Sequence, residues 1–222
     1  VHRGEKKVVS DTIGELHSYN ADLKNREIYL HGQHGSFEED PGVDYRMATT
    51  FVKNIRTLDI AGEQPILIHM HSLGGNWADG MAIYDAIKLC RSHVAVLVYG
   101  QAESMSSIIL QAADLRVMTP NAYFMSHYGF SEFSTDYLSS QNGAKFDKAI
   151  TNTMFDIYAE SCVNGKFFKD HYKTTTTDKV KAFLERKLKS GDWYLNSHES
   201  VYYGFADGVL GSRKLENIDK LK

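Results

Sequence analysis

The sequence predicts an α/β protein built on parallel strands, and three features between Ile66 and Met118 carry that expectation. Ile66-Leu67-Ile68-His69-Met70 is an apolar run too short for a globular helix and preceded by Pro65, which reads as a buried strand. His71-Ser72-Leu73-Gly74-Gly75-Asn76 then turns the chain into a helix, with Met81, Tyr84, Ile87 and Cys90 recurring every third residue. A second apolar run, Val94 to Val98, is the next strand; Gly100-Gln101-Ala102-Glu103 ends it and delivers Ser104 to a helix from Met105 to Ala113. Strand, glycine turn, helix, strand, helix is a βαβ unit, which packs as parallel neighbours with a right-handed crossover. Chemistry in such folds sits at the carboxyl ends of the strands, where the glycine pair and Ser104 lie.

In chain order, residues 1–18 are polar and mixed in charge, with no periodicity that would bury them. Val1 to Lys7 lacks the apolar core of a signal peptide. Glu27-Ile28-Tyr29-Leu30 is a short strand, Gly32 to Gly42 a loop, and Met47, Phe51, Ile55 and Leu58 mark an amphipathic helix. After the central unit, Arg116-Val117-Met118 and Tyr123-Phe124-Met125 are strands separated by Thr119-Pro120-Asn121, with His127 at the end of the second. Tyr137 to Cys162 reads as one long helix with Phe146, Ile150, Met154, Ile157 and Ser161 on a stripe. Asp178 is placed to cap a helix carrying Val180, Phe183, Leu184 and Leu188. Asn196 and Glu199 have capping-box spacing for a last helix closed by Gly204, and the charged tail 211–222 is expected to fray from Ser212.

Composition sets the outer bounds. A chain of 222 residues fits one larger domain, here 19–210. The formal charge of −3 gives no electrostatic reason to expect nucleic acid or an anionic membrane as partner. No apolar run approaches the roughly 20 residues of a membrane span. Cys90 and Cys162 fall in helical patterns and read as reduced core residues. His69 with His71, and His31 with His34, are paired histidines without a third ligand at a recognisable spacing, so no metal is expected.

The residues around Ser104 suggest acyl transfer. A Ser at a helix start sits beside unpaired N–H groups, and two adjacent glycines let backbone approach a ligand closely. One N–H from the glycine turn and one from Met105, the residue after Ser104, can together bind a developing oxyanion. On these features alone, an ordinary helix cap and an ordinary glycine turn remain open.

Wider motifs extend the argument. Gln101-Ala102-Glu103-Ser104-Met105, Phe124-Met125-Ser126-His127 and Asp192-Trp193-Tyr194-Leu195 resemble, in order, the three active-site segments of the Clp protease proteolytic subunit family. Tyr19 to Gly32, Ser72-Leu73-Gly74-Gly75, Gly80 to Asp85, and Glu199 with Tyr203-Gly204 and Asp207 agree with the same family. The resemblance implies a Clp/crotonase-type spiral of βαβ units with a mobile N-terminal arm at 1–18 and a protruding handle helix at about 137–162. It also implies a serine endopeptidase with Ser104 as nucleophile, His127 as base, Asp192 as its partner, and Gly75 and Met105 as oxyanion donors. The implied assembly is a homo-oligomer of stacked heptameric rings that receives unfolded protein or peptides from an AAA+ unfoldase. ATP is then used only by that partner and this chain needs no cofactor; the expected compartment is the cytoplasm or an organelle matrix, and a phage origin also fits. Two other readings share the fold: a non-catalytic ring subunit and a crotonase-like acyl-CoA enzyme.

Four departures from the family stand out. Glu103 replaces a small residue beside the nucleophile, and Tyr128-Gly129 follows His127 in place of Gln-Pro. The segment from Tyr128 to Thr135 is shorter than the strand it would replace, and Gly191 stands where an Arg precedes Asp192.

Overall fold

A computed structural model of the protein describes residues 13–14, 16–31, 42–130 and 136–222. The expected mobile arm lies outside these except for helical residues 13–14 and 16–18, and so do most of the Gly32–Gly42 loop and residues 131–135. The strands are β1 (Ala21–Asp22), β2 (Glu27–Leu30), β3 (Ile66–Ser72), β4 (Val94–Glu103), β5 (Leu115–Met118), β6 (Tyr123–Ser126), β7 (Trp193–Asn196) and β8 (Gly208–Val209). The helices are α1 (Tyr45–Ala61), α2 (Trp77–Lys88), α3 (Met105–Leu110), α4 (Tyr137–Cys162), α5 (Lys166–His171), α6 (Thr177–Leu188) and α7 (Ser197–Tyr203).

The strands β2, β3, β4, β5 and β8 run parallel in that spatial order, with β1 antiparallel on the outer edge of β2. Alternation along β3 and β4 explains why both read as continuous apolar runs, since each face is buried. Ile66, Ile68, Met70, Val94, Val96 and Val98 join a core with Phe51, Ile55 and Leu58 of α1 and Ile83 and Ile87 of α2. Leu67, Ala95, Leu97 and Val117 point to the other face.

That second face is covered by the tail. A 3-10 turn at Ile218–Leu221 buries Leu221, 2% exposed, on those four side chains. Lys222 bonds the Asn25 carbonyl at 2.7 Å and pairs with the Glu27 carboxylate. The tail expected to fray is thus packed, because an apolar sheet face needs a cover that charge content alone does not reveal.

Three element boundaries move for physical reasons. Strand β4 does not stop at Val98: Gly100, at φ 59°, bends it, and Gln101–Glu103 find a new parallel partner in β6. Helix α3 ends at Leu110 rather than Ala113, because the amides of residues 111–113 bond three residues back and tighten the turn. In α2 the buried positions are Gly80, Ile83 and Ile87, with Met81 and Tyr84 only half-buried. A strict three-residue spacing drifts off the face of a helix with 3.6 residues per turn.

Caps follow sequence more closely. Asp44 accepts from Met47 N–H at 2.9 Å, and Asn196 with Glu199 forms the expected capping box, closed by Gly204 at φ 91°. At α6 the cap is Thr176, whose Oγ1 accepts from Lys179 N–H; Asp178 lies one residue inside the helix, against the positive dipole end. Cys90 and Cys162 are free thiols.

Candidate active site

The site is assembled where β3, β4, β6 and β7 meet. Strand β4 carries Ser104 just beyond its end, β6 carries His127, and Asp192 immediately precedes β7. Ser104 N–H donates to the Met125 carbonyl at 2.9 Å, which ties the turn to β6. The antiparallel register Ser126↔Trp193 then places Asp192 beside His127.

Ser104 has φ 50° and ψ −123°, outside the regions an L-residue ordinarily occupies. Such a conformation costs on the order of 1–3 kcal/mol and persists only where the surroundings hold it. Here its carbonyl accepts from Ser107 N–H at 3.0 Å and from Ser107 Oγ at 2.5 Å. Ser107 Oγ in turn meets the Tyr158 hydroxyl of α4 at 2.6 Å. Ser104 Oγ makes no cap bond to the helix; it meets His127 Nε2 at 2.7 Å. The cap reading of Ser104 fails on that point.

His127 Nδ1 lies 3.5 Å from Asp192 Oδ1, longer than a well-formed hydrogen bond, and the Asp192 side chain is 53% exposed. All three residues are brought together, but the second link is looser than the first.

The glycine turn approaches from β3. A Cβ on Gly74 would fall 2.6 Å from Ser104 Cβ and 2.9 Å from Met105 N, so only glycine fits there. Ser106 Oγ donates to Ser72 Oγ at 2.7 Å, and Ser72 Oγ accepts from Gly74 N–H at 3.3 Å, fastening this turn to α3. The bridge from Val43 uses the Gly74 carbonyl and the Asn76 N–H, leaving the Gly75 N–H outside the ladder. Met105 opens α3, so its N–H is among those with no intrahelical acceptor.

Gly75, Ser104, Met105 and His127 line a cleft of about 770 Å³, whose far wall is α4 through Phe146, Ile150 and Met154. The apolar stripe of that helix is thereby divided: Met154 and Ile157 are buried, while Phe146 at the outer end is 61% exposed. Sequence reasoning quoted Ser72 in a motif without giving it a role and did not single out Ser106, Ser107 or Tyr158; the Ser106-Ser107 pair at the start of a short helix was the available signal. His69 is occupied elsewhere, with Nδ1 3.1 Å from Tyr99 OH, Nε2 3.1 Å from Glu27, and its ring stacked on Tyr29. Among the described residues no three His, Cys, Asp or Glu side chains are grouped to hold a metal.

The Clp protease family model matches residues 14–213, nine-tenths of the chain. This chain belongs to the Clp protease family. Members of that family are serine-type endopeptidases. The chain is 27% identical over 208 residues to the "ATP-dependent Clp protease proteolytic subunit" of Carsonella ruddii, covering 93% of each. It is 28% identical over 195 residues to the subunit of that name from Deinococcus radiodurans, covering 86% of this chain and 83% of the relative. Among solved structures, a mutant of ClpP1 from Listeria monocytogenes superposes with a TM-score of 0.69 at 21% identity. It covers 90% of this chain and 96% of its own, and shares the Clp-type fold. No helix among the described residues is long and apolar enough to cross a membrane.

Proposed function

We propose that this Clp-family chain is a proteolytic subunit that cleaves peptide bonds through an acyl-enzyme on Ser104. The observation that carries the reading is the 2.7 Å contact between Ser104 Oγ and His127 Nε2, made by a Ser whose strained backbone no helix cap requires. His127 takes the Oγ proton as Ser104 attacks the scissile carbonyl, then returns it to the leaving amine. Water repeats the sequence to free the acyl group. Asp192 favours the Nδ1–H tautomer and the imidazolium that forms. The Gly75 and Met105 N–H groups receive the developing oxyanion. The chemistry asks for no cofactor in this chain.

The family suggests the assembly around that site: stacked heptameric rings with the clefts facing an inner chamber, fed with unfolded chains by an AAA+ unfoldase that alone uses ATP. The outer half of α4, with Phe146 exposed, is the element available to reach a facing ring. A fluorophosphonate probe tests the chemistry. Labelling should map to the Ser104 peptide and vanish in Ser104→Ala, while native mass spectrometry shows the same ring for both. An assembled ring that never labels would leave the chain a non-catalytic subunit.

A further inference from the structure

Glu103 stands immediately before Ser104, and the sheet gives it a defined relation to the other site residues. Strands β4, β6 and β7 lie side by side there, with Glu103 aligned to Met125 and Met125 aligned to Tyr194. Aligned residues point to one face of a sheet, as do residues two apart along a strand. His127 is two beyond Met125, and Asp192 is two before Tyr194. Glu103, His127 and Asp192 therefore approach the same face in adjacent rows, where diagonal neighbours stand about 7–8 Å apart.

The electrostatics agree with that placement. Burial pushes the Glu103 carboxyl above its usual range, the Tyr123 hydroxyl and the His127 charge pull it down, and Asp192 pushes it up again. Tyr194 is raised first by the Glu103 charge, then by burial, then by Asp192. The groups facing Glu103 are thus Tyr123, His127, Asp192 and Tyr194, while the Tyr123 hydroxyl itself donates to Gln101 at 3.0 Å. Asp192 is the more exposed of the two carboxylates and stands 3.5 Å from His127, where water screens its charge.

We propose that Glu103 is a positioning residue of the reaction, a second carboxylate that acts through His127 by adding to the negative field that orients and stabilises its imidazolium. The proposal rests on the reading of Ser104 and His127 as nucleophile and base. Glu103 accepts no proton in it; the proton passes between Ser104 Oγ, His127 Nε2 and the leaving amine, as above. Where the family has a small residue, this chain supplements a solvent-screened Asp192 with a better-sheltered charge.

The sign of the effect makes it testable. Removing a nearby negative charge disfavours the imidazolium form of His127. Glu103→Gln should therefore move the acid limb of kcat/KM to lower pH by about 0.5–1 unit. The plateau above that limb should fall several-fold, because a weaker base transfers the proton less well. Glu103→Asp should restore most of both. A purely structural role for Glu103 would lower the plateau and leave the limb in place.

The deciding measurement is an NMR titration of His127 in Ser104→Ala with and without Glu103→Gln, which reads the interaction without turnover. A lower His127 midpoint in the double variant is the expected result; coincident titrations would overturn the proposal. Failure of the parent protein to react with the serine probe would instead strike the Ser104 reading, and the titration would still report on Glu103.

Discussion

The amino and carboxyl ends of the central strands each hold a non-glycine residue at positive φ, Arg26 at 56° and Ser104 at 50°, and they treat it differently. At the amino end the Arg26 guanidinium donates to the carbonyls of Leu58, Gly62 and Gln64 and to Ser92 Oγ, all at 2.8–3.0 Å. Beside it Asp59, 2% exposed, accepts from Arg91 N–H at 2.9 Å, Ser92 N–H at 3.3 Å and the Cys90 thiol at 3.4 Å. Burial pushes that carboxyl up, but the Arg91 amide, the Cys90 thiol, the Ser92 amide and the Arg91 side chain outweigh it and bring the pKa to about 2. At the carboxyl end the side chain of the strained residue is turned toward a histidine instead, and that histidine's carboxylate neighbour is half in solvent. One end spends its polar groups on locking α1 to the sheet. The other leaves a hydroxyl and an imidazole facing a cleft, on a strained backbone held locally by Ser107 and Tyr158.

This contrast breaks most visibly at His127. On the proposed mechanism, His127→Ala should lower peptide turnover about 10,000-fold, as removal of a base from a cooperating set does. Asp192→Asn should cost distinctly less, on the order of 100-fold, because a screened carboxylate 3.5 Å away orients the ring weakly. Equal losses for the two variants, measured as kcat/KM on a short fluorogenic peptide, would mean that the carboxyl end is as tightly coupled as the amino end.

Asp59 offers the complementary test. Its pKa lies below the ordinary 3.8, so its contribution to stability is fully present above about pH 4 and is lost as pH falls through about 2. Asp59→Asn should remove about 2 kcal/mol at pH 7, read from urea unfolding, and flatten the loss of stability between pH 4 and 2. Peptidase turnover of the folded variant should be unchanged. A turnover loss without a stability loss would reverse the assignment of the two ends.

The smallest effect is expected from the outer member of the same network. Arg56 reaches Asp59 at 3.1 Å, but its side chain is 64% exposed. Arg56→Ala should cost less than about 1 kcal/mol in the same unfolding measurement, since water screens an exposed partner. A cost matching that of Asp59→Asn would make Arg56, rather than the buried amides, the main support of the carboxylate.

Much of this was legible from residues in order. Apolar runs at Ile66 and Val94, the Gly74-Gly75 turn and the capping box at Asn196 report local preferences, and each appears where it was expected. Misplaced features depended on partners distant in sequence. The extension of β4 to Glu103 needs β6, and the burial of Leu221 needs a sheet face assembled from Leu67, Ala95, Leu97 and Val117. The division of the α4 stripe between a cleft wall and the core follows from where that helix docks.

By itself the sequence determined a parallel βαβ frame, a serine-bearing turn at the end of its strands, and motifs specific enough to place the chain in its family, because period and turn chemistry are written in neighbouring residues. Tertiary structure alone decided that Ser104 Oγ meets His127 rather than capping its helix, that Ser107 and Tyr158 hold its strained backbone, and that Glu103 shares a sheet face with His127 and Asp192. Those relations depend on the register and docking of elements far apart in sequence, which only the whole folded chain sets.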